Sequence, residues 1–552
     1  MHFFPEAFNV QTPRVFGRHS AGRGFFEGYI RHAGVDKYYC CTPKEQSFAI
    51  FSASAGEICP TTPTEWIPYS QLQKLAKVGC LYQPDPHIAA LSWHRRRLGS
   101  NALSLCGVTH TLCTMAIMDS LGELLVAPIE PWDALICTSQ AAKSAVEHVL
   151  GTFREYLSSK FTCDVPICIE LPVIPLGVDC DFFERSESTS FQGAQIRKQL
   201  GIADEDVAVL YVGRLNPNAK AHPLSMYLAV EEVARRTGDR LHLLHFGWFS
   251  NPEVKKQFMT AAHLFCPSVK CHFVDEPQEW YQAIWHAADI FVSFCDNIQE
   301  TFGLTPLEAM AAGLPQVVSD WDGYRDTVRH GIDGFRAPTI APPPGAGDEL
   351  VARYSTGIDN YDRYVGNASQ STAIDLESCV LALERLVSDK ALRKSMGQAG
   401  QQRAREQFDW RIVIKNYQAL WRELQARREA AKKISRGASA LHPLREDPFA
   451  VFSRHPTRVL SPDTTLAGGA NIATTRVQMI AALPMNISAA HLMCSAEEIM
   501  NLVMEVKAAP RLPLSNVLLR TPIERHARMY RTVGWLIKTD VIRIVGDDVP
   551  LL

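Results

Sequence analysis

Residues 290–313 read IFVSFCDNIQETFGLTPLEAMAAG, which gives a strand, a turn and a helix in direct succession. The run IFVSF at 290–294 is apolar except for Ser293, which is typical of a parallel strand covered on both faces. The segment 306–312 favours a helix that is closed by Gly313 and Pro315. Strand-turn-helix units of this kind predict an α/β fold with a parallel sheet.

The turn carries two carboxylates, Glu300 and Glu308, eight positions apart. We expect Thr305 to cap the helix, Pro306 to take its first position and Glu308 to complete a capping box. The free N–H groups of the first turn would then face a crevice and attract an anion. Gly303 would let a ligand approach the backbone, and Glu300 could accept hydrogen bonds from ligand hydroxyls. In the alternative, Glu308 is only a cap and Glu300 only a solvated loop acid.

A second buried-type strand, VAVLYVG at 207–213, is followed by Arg214 and, six residues later, by Lys220. A surface cation is usually just solvated. In a parallel sheet, however, both cations would lie at the same edge as the Glu300 turn. Two cations at that edge suit a diphosphate.

In this order of motifs the chain resembles the GT-B glycosyltransferases of family 4, also called group 1 glycosyltransferases, whose hallmark is a Glu, seven residues and a second Glu. The resemblance runs from about Leu81 to Leu424 and is strongest over 207–334. The chain departs from the family pattern at Ala221, where the family usually has Gly. Two further departures are a short amino-terminal strand before the first glycine loop and an apparent insertion at residues 339–371.

The resemblance implies two Rossmann-like, doubly wound domains facing a cleft. Beyond the reach of the resemblance, the helical apolar spacing of residues 472–552 predicts a small, mostly helical carboxyl-terminal extension. The resemblance also implies transfer of a sugar from a nucleotide diphosphate to an acceptor hydroxyl, with retention. Glu308 would hold the ribose, Glu300 the donor sugar, and Arg214 and Lys220 the diphosphate. The donor would also contact the turn itself, formed by Phe302, Gly303, Leu304 and Thr305.

The resemblance adds five candidates outside the turn. Gly22 and Gly24, in GRHSAGRGFFEGYIRH, would form a glycine loop facing the donor phosphates, although a plain turn is nearly as good an interpretation. His110 lies at the carboxyl end of the strand at 103–108 and would face the donor sugar, although a lone histidine is more often structural. Val274 and Asp275 would lie against the base.

Composition places the chain among large enzymes of ordinary charge. It has 552 residues, 46% of them hydrophobic, and a net charge of -3, which excludes nucleic acid as an expected partner. No apolar stretch approaches the roughly 20 residues that span a bilayer, and the start MHFFPEAFN lacks the features of a secretion signal. We therefore expect a cytoplasmic protein whose 15 cysteines, with no CxxC pair, are mostly buried thiols.

We expect neither a metal nor a cofactor. Three loose DxD matches begin at Asp179, Asp204 and Asp320, and three chance matches make a weak signal. Two cations can neutralise a diphosphate without a divalent ion. The basic run at 94–97 could contact an acidic acceptor, but a solvated loop is the better explanation and the run is left out of the site.

The predicted domains are an acceptor domain at 1–180, a donor domain at 181–410, a helix crossing back at 411–436, a linker at 437–471 and the extension at 472–552. The extension could set an oligomeric state, bind a partner or recognise an acceptor, and the sequence does not distinguish among these three roles. The basic stretch 422–436 could touch anionic lipid as a peripheral membrane contact, but a solvated helix face is favoured. The acceptor, whether a carbohydrate, a lipid-linked molecule or a protein, stays open.

Two other classes of function stay open. One is another GT-B activity, such as a phosphorylase or a nucleotide-sugar epimerase. The other is a scaffold that kept the fold without the chemistry, against which the presence of Arg214, Lys220, Glu300 and Glu308 argues.

Overall fold

The computed structural model describes residues 1–8, 17–275, 278–431 and 442–545. The chain divides into two compact units, residues 1–442 and 443–552, which are described separately below. The first unit contains two parallel sheets, and we call the parts built on them the N-terminal lobe and the C-terminal lobe.

The N-terminal lobe is built on one extended parallel sheet. Its strands are β1 Tyr38–Cys41, β2 Thr64–Ile67, β3 Cys80–Tyr82, β4 Ser104–Val108 and β5 Ala134–Ile136. The first three residues lie between β1 and β3, because the N–H groups of His2 and Phe3 donate to carbonyl groups of those strands at 2.8 and 3.0 Å. Residues 170–173 extend the sheet beyond β5 through parallel bridges. Counting residues 1–3 as the first strand, the first six strands follow the Rossmann order 3-2-1-4-5-6.

The C-terminal lobe repeats this topology in a six-stranded parallel sheet. Its strands are β6 Val207–Val212, β7 Leu241–Phe246, β8 Lys270–Val274, β9 Ile290–Ser293, β10 Gln316–Ser319 and β11 Gly334–Ala337. The order β11-β10-β9-β6-β7-β8 is again 3-2-1-4-5-6 when the strands are counted along the chain. Two short strands, β12 Thr339–Ile340 and β13 Ala373–Ile374, pair with each other antiparallel. Two Rossmann-like sheets in one unit confirm the predicted GT-B class.

Helices accompany both sheets. Those of the N-terminal lobe are α1 Pro5–Phe8, α2 Gly17–His32, α3 Glu45–Ile58, α4 Leu75–Val78, α5 Ala89–Arg96, α6 Met115–Glu123 and α7 Gln140–Phe161. Those of the C-terminal lobe are α8 Cys180–Phe183, α9 Glu187–Leu200, α10 Leu224–Thr237, α11 Pro252–Phe265, α12 Ile284–Ala287, α13 Leu304–Ala311, α14 Tyr324–Thr327, α15 Asp348–Ser355, α16 Tyr361–Ser369, α17 Leu376–Ser388 and α18 Lys390–Arg403. The strands β6 and β9 are buried along their whole length, as their largely apolar sequences favour, and β7 is equally buried although it carries His242 and His245.

A helix returns from the C-terminal lobe to the core of the N-terminal lobe. This helix, α19 Trp410–Ala430, buries one apolar stripe among the aromatic side chains of α2 and β3. The two places where the chain passes between the lobes run side by side, because the Val178 N–H donates to the Phe408 carbonyl at 2.8 Å. The indole of Trp410 then lies where Cβ atoms on Gly28 and Gly177 would come within 2.8 and 2.4 Å.

The second unit, described over 443–545, is a small α+β body. Its strands β14 Thr465–Gly468, β15 Leu512–Pro513 and β16 Ile542–Ile544 form an antiparallel sheet in the order β15-β14-β16. Its helices are α20 Pro448–Val451, α21 Thr474–Ala481, α22 Pro484–Ile487, α23 Ala496–Ala508, α24 Leu514–Leu518 and α25 His526–Lys538. The strand β14 lies inside the range predicted as a linker, so that range is not a plain connector. Residues 432–441 of the linker and crossing helix lie outside the described residues.

Two further observations concern the chain as a whole. Within the described ranges, no helix is both long and apolar enough to cross a membrane. The 15 cysteines, all of them in the described part of the chain, are free thiols, and ten are buried, as expected from their apolar surroundings in the sequence.

Candidate functional site

The candidate site lies at the point where the C-terminal sheet changes direction. From β6 the chain proceeds to β7 and β8 on one side, and from β9 to β10 and β11 on the other. Open parallel sheets bind ligands at the carboxyl ends of the two strands that flank such a switch point. Here those two strands, β6 and β9, are followed by the loops that carry Lys220 and Glu300.

Lys220 and Glu300 form an ion pair across the switch point. The Nζ atom of Lys220 lies 2.6 Å from Oε2 of Glu300, and the side chains are only 23% and 15% exposed. The two loops that sequence analysis predicted to share an edge are therefore in direct contact. A charged pair partly shielded from water in this way can offer a cation to an anionic ligand and a hydrogen-bond acceptor to a hydroxylated one.

Burial and pairing act in opposite directions on both groups. Burial lowers the pKa of Lys220, but the negative charge of Glu300 outweighs this and holds the pKa well above the ordinary value. Burial likewise raises the pKa of Glu300, and the attraction of Lys220, with help from the backbone of Phe302 and Thr301, brings the pKa below the ordinary value. Both partners are therefore charged at neutral pH.

Arg214 is held beside Lys220 by the backbone of the same loop. Its Nη2 atom donates to the Ala219 carbonyl at 2.6 Å, one residue before Lys220. The Asn216 side chain shapes the loop by accepting from the Asn218 and Ala219 N–H groups at 2.9 and 3.0 Å. Sequence analysis missed Asn216, although an Asn in a loop that must turn tightly is a recognisable signal.

The glycine turn does not have the helix cap that the sequence suggested. The helix α13 begins at Leu304, with Gly303 as its N-cap at φ 86°, so Thr305 is not the cap and Pro306 is not the first residue. A Cβ on Gly303 would lie 2.0 Å from the Tyr324 ring, which is why only glycine fits. Because the cap is a glycine, no cap side chain covers the first turn of α13 at this edge of the sheet.

The other donor candidates in the turn differ in exposure. Phe302 is 1% exposed and belongs to the hydrophobic core, so its side chain packs inward and only its backbone borders the turn. Leu304 is half-buried against the same core. The Thr305 hydroxyl is buried and lacks a hydrogen-bond partner among the described residues.

Glu308 lies inside α13 rather than in a capping box. Its Oε1 atom accepts a hydrogen bond from the Tyr281 hydroxyl at 3.0 Å. Because α13 starts at Leu304, Glu308 is too far along the helix to reach the cap residue, so the predicted capping box is wrong. Tyr281, which sequence analysis missed, comes from the segment between β8 and α12.

Gly22 and Gly24 are helix residues, so the predicted glycine loop is wrong. Both lie inside α2, where their missing side chains are explained by packing. A Cβ on Gly22 would lie 2.1 Å from the Ala7 carbonyl oxygen, and a Cβ on Gly24 would lie 3.0 Å from the Trp410 indole. Residues 9–16, which precede this helix, lie outside the described residues.

The remaining candidates stay at strand ends. His110 is half-buried in the loop that follows β4. Val274 ends β8, and its carbonyl accepts from the Gly247 N–H at 3.1 Å. Asp275 is exposed and pairs with Lys255 at 2.9 Å. Each lies at the carboxyl edge of its own sheet.

Two further groups clarify the surroundings of the site. Arg95, in the run that we considered as a solvated loop, is a buried residue of α5 whose two terminal nitrogens bond both oxygens of Asp133 at 2.5 and 2.8 Å. Asp322, which sequence analysis considered only as part of a DxD match, lies near Glu300, and its Oδ1 atom is 3.2 Å from the Ser139 hydroxyl oxygen of the N-terminal lobe. Burial raises the pKa of Asp322 well above its usual range, and the charge of Glu300 adds to the rise. Across the described ranges, no three His, Cys, Asp or Glu residues are placed to hold a metal ion.

The lobes touch at the rim of this site. The Ser139 hydroxyl donates to the Thr301 carbonyl at 2.8 Å, and the Gln140 N–H donates to Asp326 at 2.6 Å. Since Ser139 caps the 22-residue helix α7, the acidic groups of the C-terminal lobe meet the positive end of a helix dipole.

Fold and site together define an α/β protein of the GT-B class with a lysine–glutamate ion pair at the switch point of its second sheet. Residues 193–342, which include both loops of the ion pair, match the sequence model of the family described as Glycosyl transferases group 1. The match confirms the predicted family for this segment.

Known relatives agree with this family. The chain is 29% identical over 251 residues to a D-inositol 3-phosphate glycosyltransferase of Geodermatophilus obscurus, a match that covers 41% of this chain and 52% of the relative. It is 27% identical over 278 residues to the enzyme of the same name from Thermobispora bispora, covering 48% of this chain and 62% of the relative. The chain thus spans about half to two thirds of the length of these relatives.

Solved structures give a weaker likeness. Anabaena HepE in complex with UDP is 15% identical, with a TM-score of 0.49, and the match covers 74% of this chain and 98% of that one. A sucrose-phosphate synthase from Thermosynechococcus elongatus is 17% identical, with a TM-score of 0.45, and covers 75% of this chain and 94% of that one. The fold assignment rests on the strand order of the two sheets.

Proposed function

We propose that this protein is a glycosyltransferase that binds a nucleotide-diphosphate sugar at the switch point of the C-terminal lobe and transfers the sugar to an acceptor hydroxyl. The observation that carries the proposal is the half-buried Lys220–Glu300 pair, at 2.6 Å, between the loops that follow β6 and β9. A cation and a carboxylate at one switch point suit the two halves of such a donor, which joins a diphosphate to a polyol.

The diphosphate would lie against Lys220 and Arg214. Arg214 presents a planar fork of donors and Lys220 a compact charge, and the two are neighbours through the Ala219 carbonyl. Lys220 already has Glu300 as its partner, so a bound phosphate would share the ammonium with that carboxylate. The N–H groups at the start of α13 would add fixed dipoles as negative charge grows on the leaving phosphate.

The carboxylates would orient the two ends of the donor. Glu300, kept ionised by Lys220, would accept hydrogen bonds from the sugar hydroxyls, and Glu308 would accept from the ribose. His110, at the strand end of the facing lobe, would contact the donor sugar. In this scheme a leaving phosphate oxygen takes the proton of the acceptor hydroxyl, so no protein nucleophile is used, and the resemblance to the family favours retention.

We further propose that neither a metal ion nor a cofactor takes part, because two cationic side chains are available to neutralise the leaving group. Activity should therefore be the same in a chelator such as EDTA as with added Mg²⁺ or Mn²⁺. A rate that falls severalfold in EDTA and recovers with Mn²⁺ would disprove this part of the proposal.

A thermal-shift panel with UDP-, GDP- and ADP-sugars tests the donor site. One nucleotide should raise the melting temperature of the wild type, and Lys220→Ala should abolish the rise. Mass spectrometry of the products, with and without acceptors, then identifies the reaction. The acceptors tested should include D-inositol 3-phosphate, the compound in the names of the relatives. A panel without any shift, or a free sugar phosphate or an epimerised donor as the product, contradicts the proposal.

A further inference from the structure

The C-terminal lobe carries a helical hairpin between β12 and β13. Pairing of Thr339 with Ile374 and of Ile340 with Ala373 closes the base of this excursion, which contains α15 and α16. The hairpin matches the range that looked inserted in the sequence. The turn between its helices is fixed by Arg353, which donates to both oxygens of Asp359 at 2.7 and 3.1 Å. A doubly bonded arginine of this kind holds one geometry, so α16 is presented in a defined position.

The helix α16 packs directly on the loop that carries Lys220. Its Val365 is fully buried in a small apolar cluster with Ala219 and with Cys113 of the N-terminal lobe. A Cβ on Gly366 would come within 2.9 Å of the Asn218 side chain, so the helix touches the loop without space between them. The hairpin is therefore part of the wall of the candidate site.

The Tyr361 hydroxyl, at the start of α16, reaches the loop that carries Glu300. It donates to Oε1 of Gln299 at 3.0 Å, and it lies 3.3 Å from Sγ of Cys113, in the loop that also holds His110. Gln299 immediately precedes Glu300 in the chain. Tyr361 thus connects the inserted hairpin to the β9 loop and to the facing lobe.

Gln299 in turn links the two loops that carry the ion pair. Its Nε2 atom donates to the Ala219 carbonyl at 3.1 Å, and this carbonyl also accepts from Arg214. The amide therefore spans from the residue before Glu300 to the residue before Lys220. The amide oxygen accepts a hydrogen bond from Tyr361, and the amide nitrogen donates one to Ala219. Because the oxygen can only accept and the nitrogen can only donate, the amide has a single orientation.

We propose that Tyr361 is a positioning residue for the donor site, acting through Gln299 to hold the Lys220 and Glu300 loops in register for a diphosphate sugar. The inference rests on the proposed function and adds to it a role for the inserted hairpin. Loss of the hydroxyl frees one end of Gln299, so the two loops separate more easily while the apolar packing of α16 is kept. A net hydrogen bond in such a setting corresponds to about a three- to tenfold change in affinity.

The test compares Tyr361→Phe with Tyr354→Phe. Tyr354 lies in the same hairpin and stacks on Tyr364 with ring centroids 4.6 Å apart, so it controls for loss of a phenol hydroxyl from the insert. Calorimetric titration with UDP, GDP and ADP identifies the tightest diphosphate for the wild type, and the matching monophosphate is titrated beside it. Tyr361→Phe should weaken the diphosphate three- to tenfold and the monophosphate less than twofold. Tyr354→Phe should change neither.

A double-mutant cycle with Gln299→Ala separates positioning from general stability. If Tyr361 acts through Gln299, adding Tyr361→Phe to Gln299→Ala causes no further loss of affinity. An equal loss in both backgrounds, or a Tyr361→Phe protein that binds like the wild type, overturns this inference and leaves the proposed function standing. A wild type that binds none of the three diphosphates overturns the proposed function and this inference together.

Discussion

Replacing Lys220 with methionine removes the positive charge opposite Glu300 and keeps an unbranched side chain of similar length. Removing one partner of a fully buried ion pair costs about 3–5 kcal/mol, because the other charge is left without compensation. Lys220 and Glu300 are 23% and 15% exposed, so water still reaches them and we expect the lower end of the range, about 3 kcal/mol at pH 7.5. For a lobe of this size that corresponds to a fall in melting temperature of about 6–12 °C.

The pH dependence identifies the cause. In the wild type the pKa of Glu300 is below the ordinary 4.5, so the stability that the pair contributes is present above about pH 4.5 and is lost only as the pH falls through the lowered value. Without Lys220, burial dominates and raises the pKa of Glu300. The methionine variant should therefore lose less relative to the wild type at pH 5 than at pH 7.5.

Thermal melts of the wild type, Lys220→Met, Glu300→Gln and the double variant at both pH values measure these effects. The double variant should be more stable than the sum of the single losses predicts, because it contains no unpaired charge. Strict additivity, or a loss below about 1 kcal/mol in the single variant at pH 7.5, would refute the account of the pair as a buried, coupled unit.

Three further predictions concern the frame of the site. Gly303→Ala should destabilise the protein by about 1–3 kcal/mol more than Gly331→Ala, since both glycines have positive φ but only Gly303 faces a side chain, Tyr324, within 4 Å; chemical denaturation of the two variants measures the difference. Trp410→Ala should cost about 3–5 kcal/mol in the same assay, because the indole fills a socket lined by glycines, and a loss under 1 kcal/mol would contradict that packing. Stability should fall as the pH is lowered from 6.5 towards 4, because burial holds the pKa values of four histidines near 4 or 3, so the unfolded chain binds more protons than the folded one. A melting temperature that stays constant over that range would contradict this prediction. These histidines are His2, His245, His272 and His286.

The sequence predicts the sheet and the site loops because the signals involved are local. Apolar runs such as 207–213 and 290–294 have one stable solution, a strand buried on both faces, and the chain alternates them with helices. Two such strands with cations after one and a carboxylate after the other place Lys220 and Glu300 at a common edge. Their direct contact depends on β6 and β9 being neighbours, which the Rossmann order supplies.

The errors come from signals that are ambiguous without tertiary context. Glycines that permit close helix packing look the same in sequence as glycines of a phosphate loop, and the Trp410 that occupies the space beside Gly24 lies nearly 400 residues away in the chain. Thr305 has the chemistry of a cap, but the helix begins earlier, with Gly303 as the cap at positive φ against the ring of Tyr324. The contact of Tyr361 with Gln299 is likewise non-local, so the sequence showed an insertion without its role.

Calorimetric titration of a nucleoside diphosphate, with the matching monophosphate as a comparison, tests the central claim that Lys220 and Arg214 form a diphosphate site. Lys220→Ala and Arg214→Ala should each weaken the diphosphate at least tenfold and the monophosphate much less, while Arg235→Ala, which removes a charge that is 65% exposed on α10, should change neither. Diphosphate affinity that is unchanged in Lys220→Ala would contradict the account.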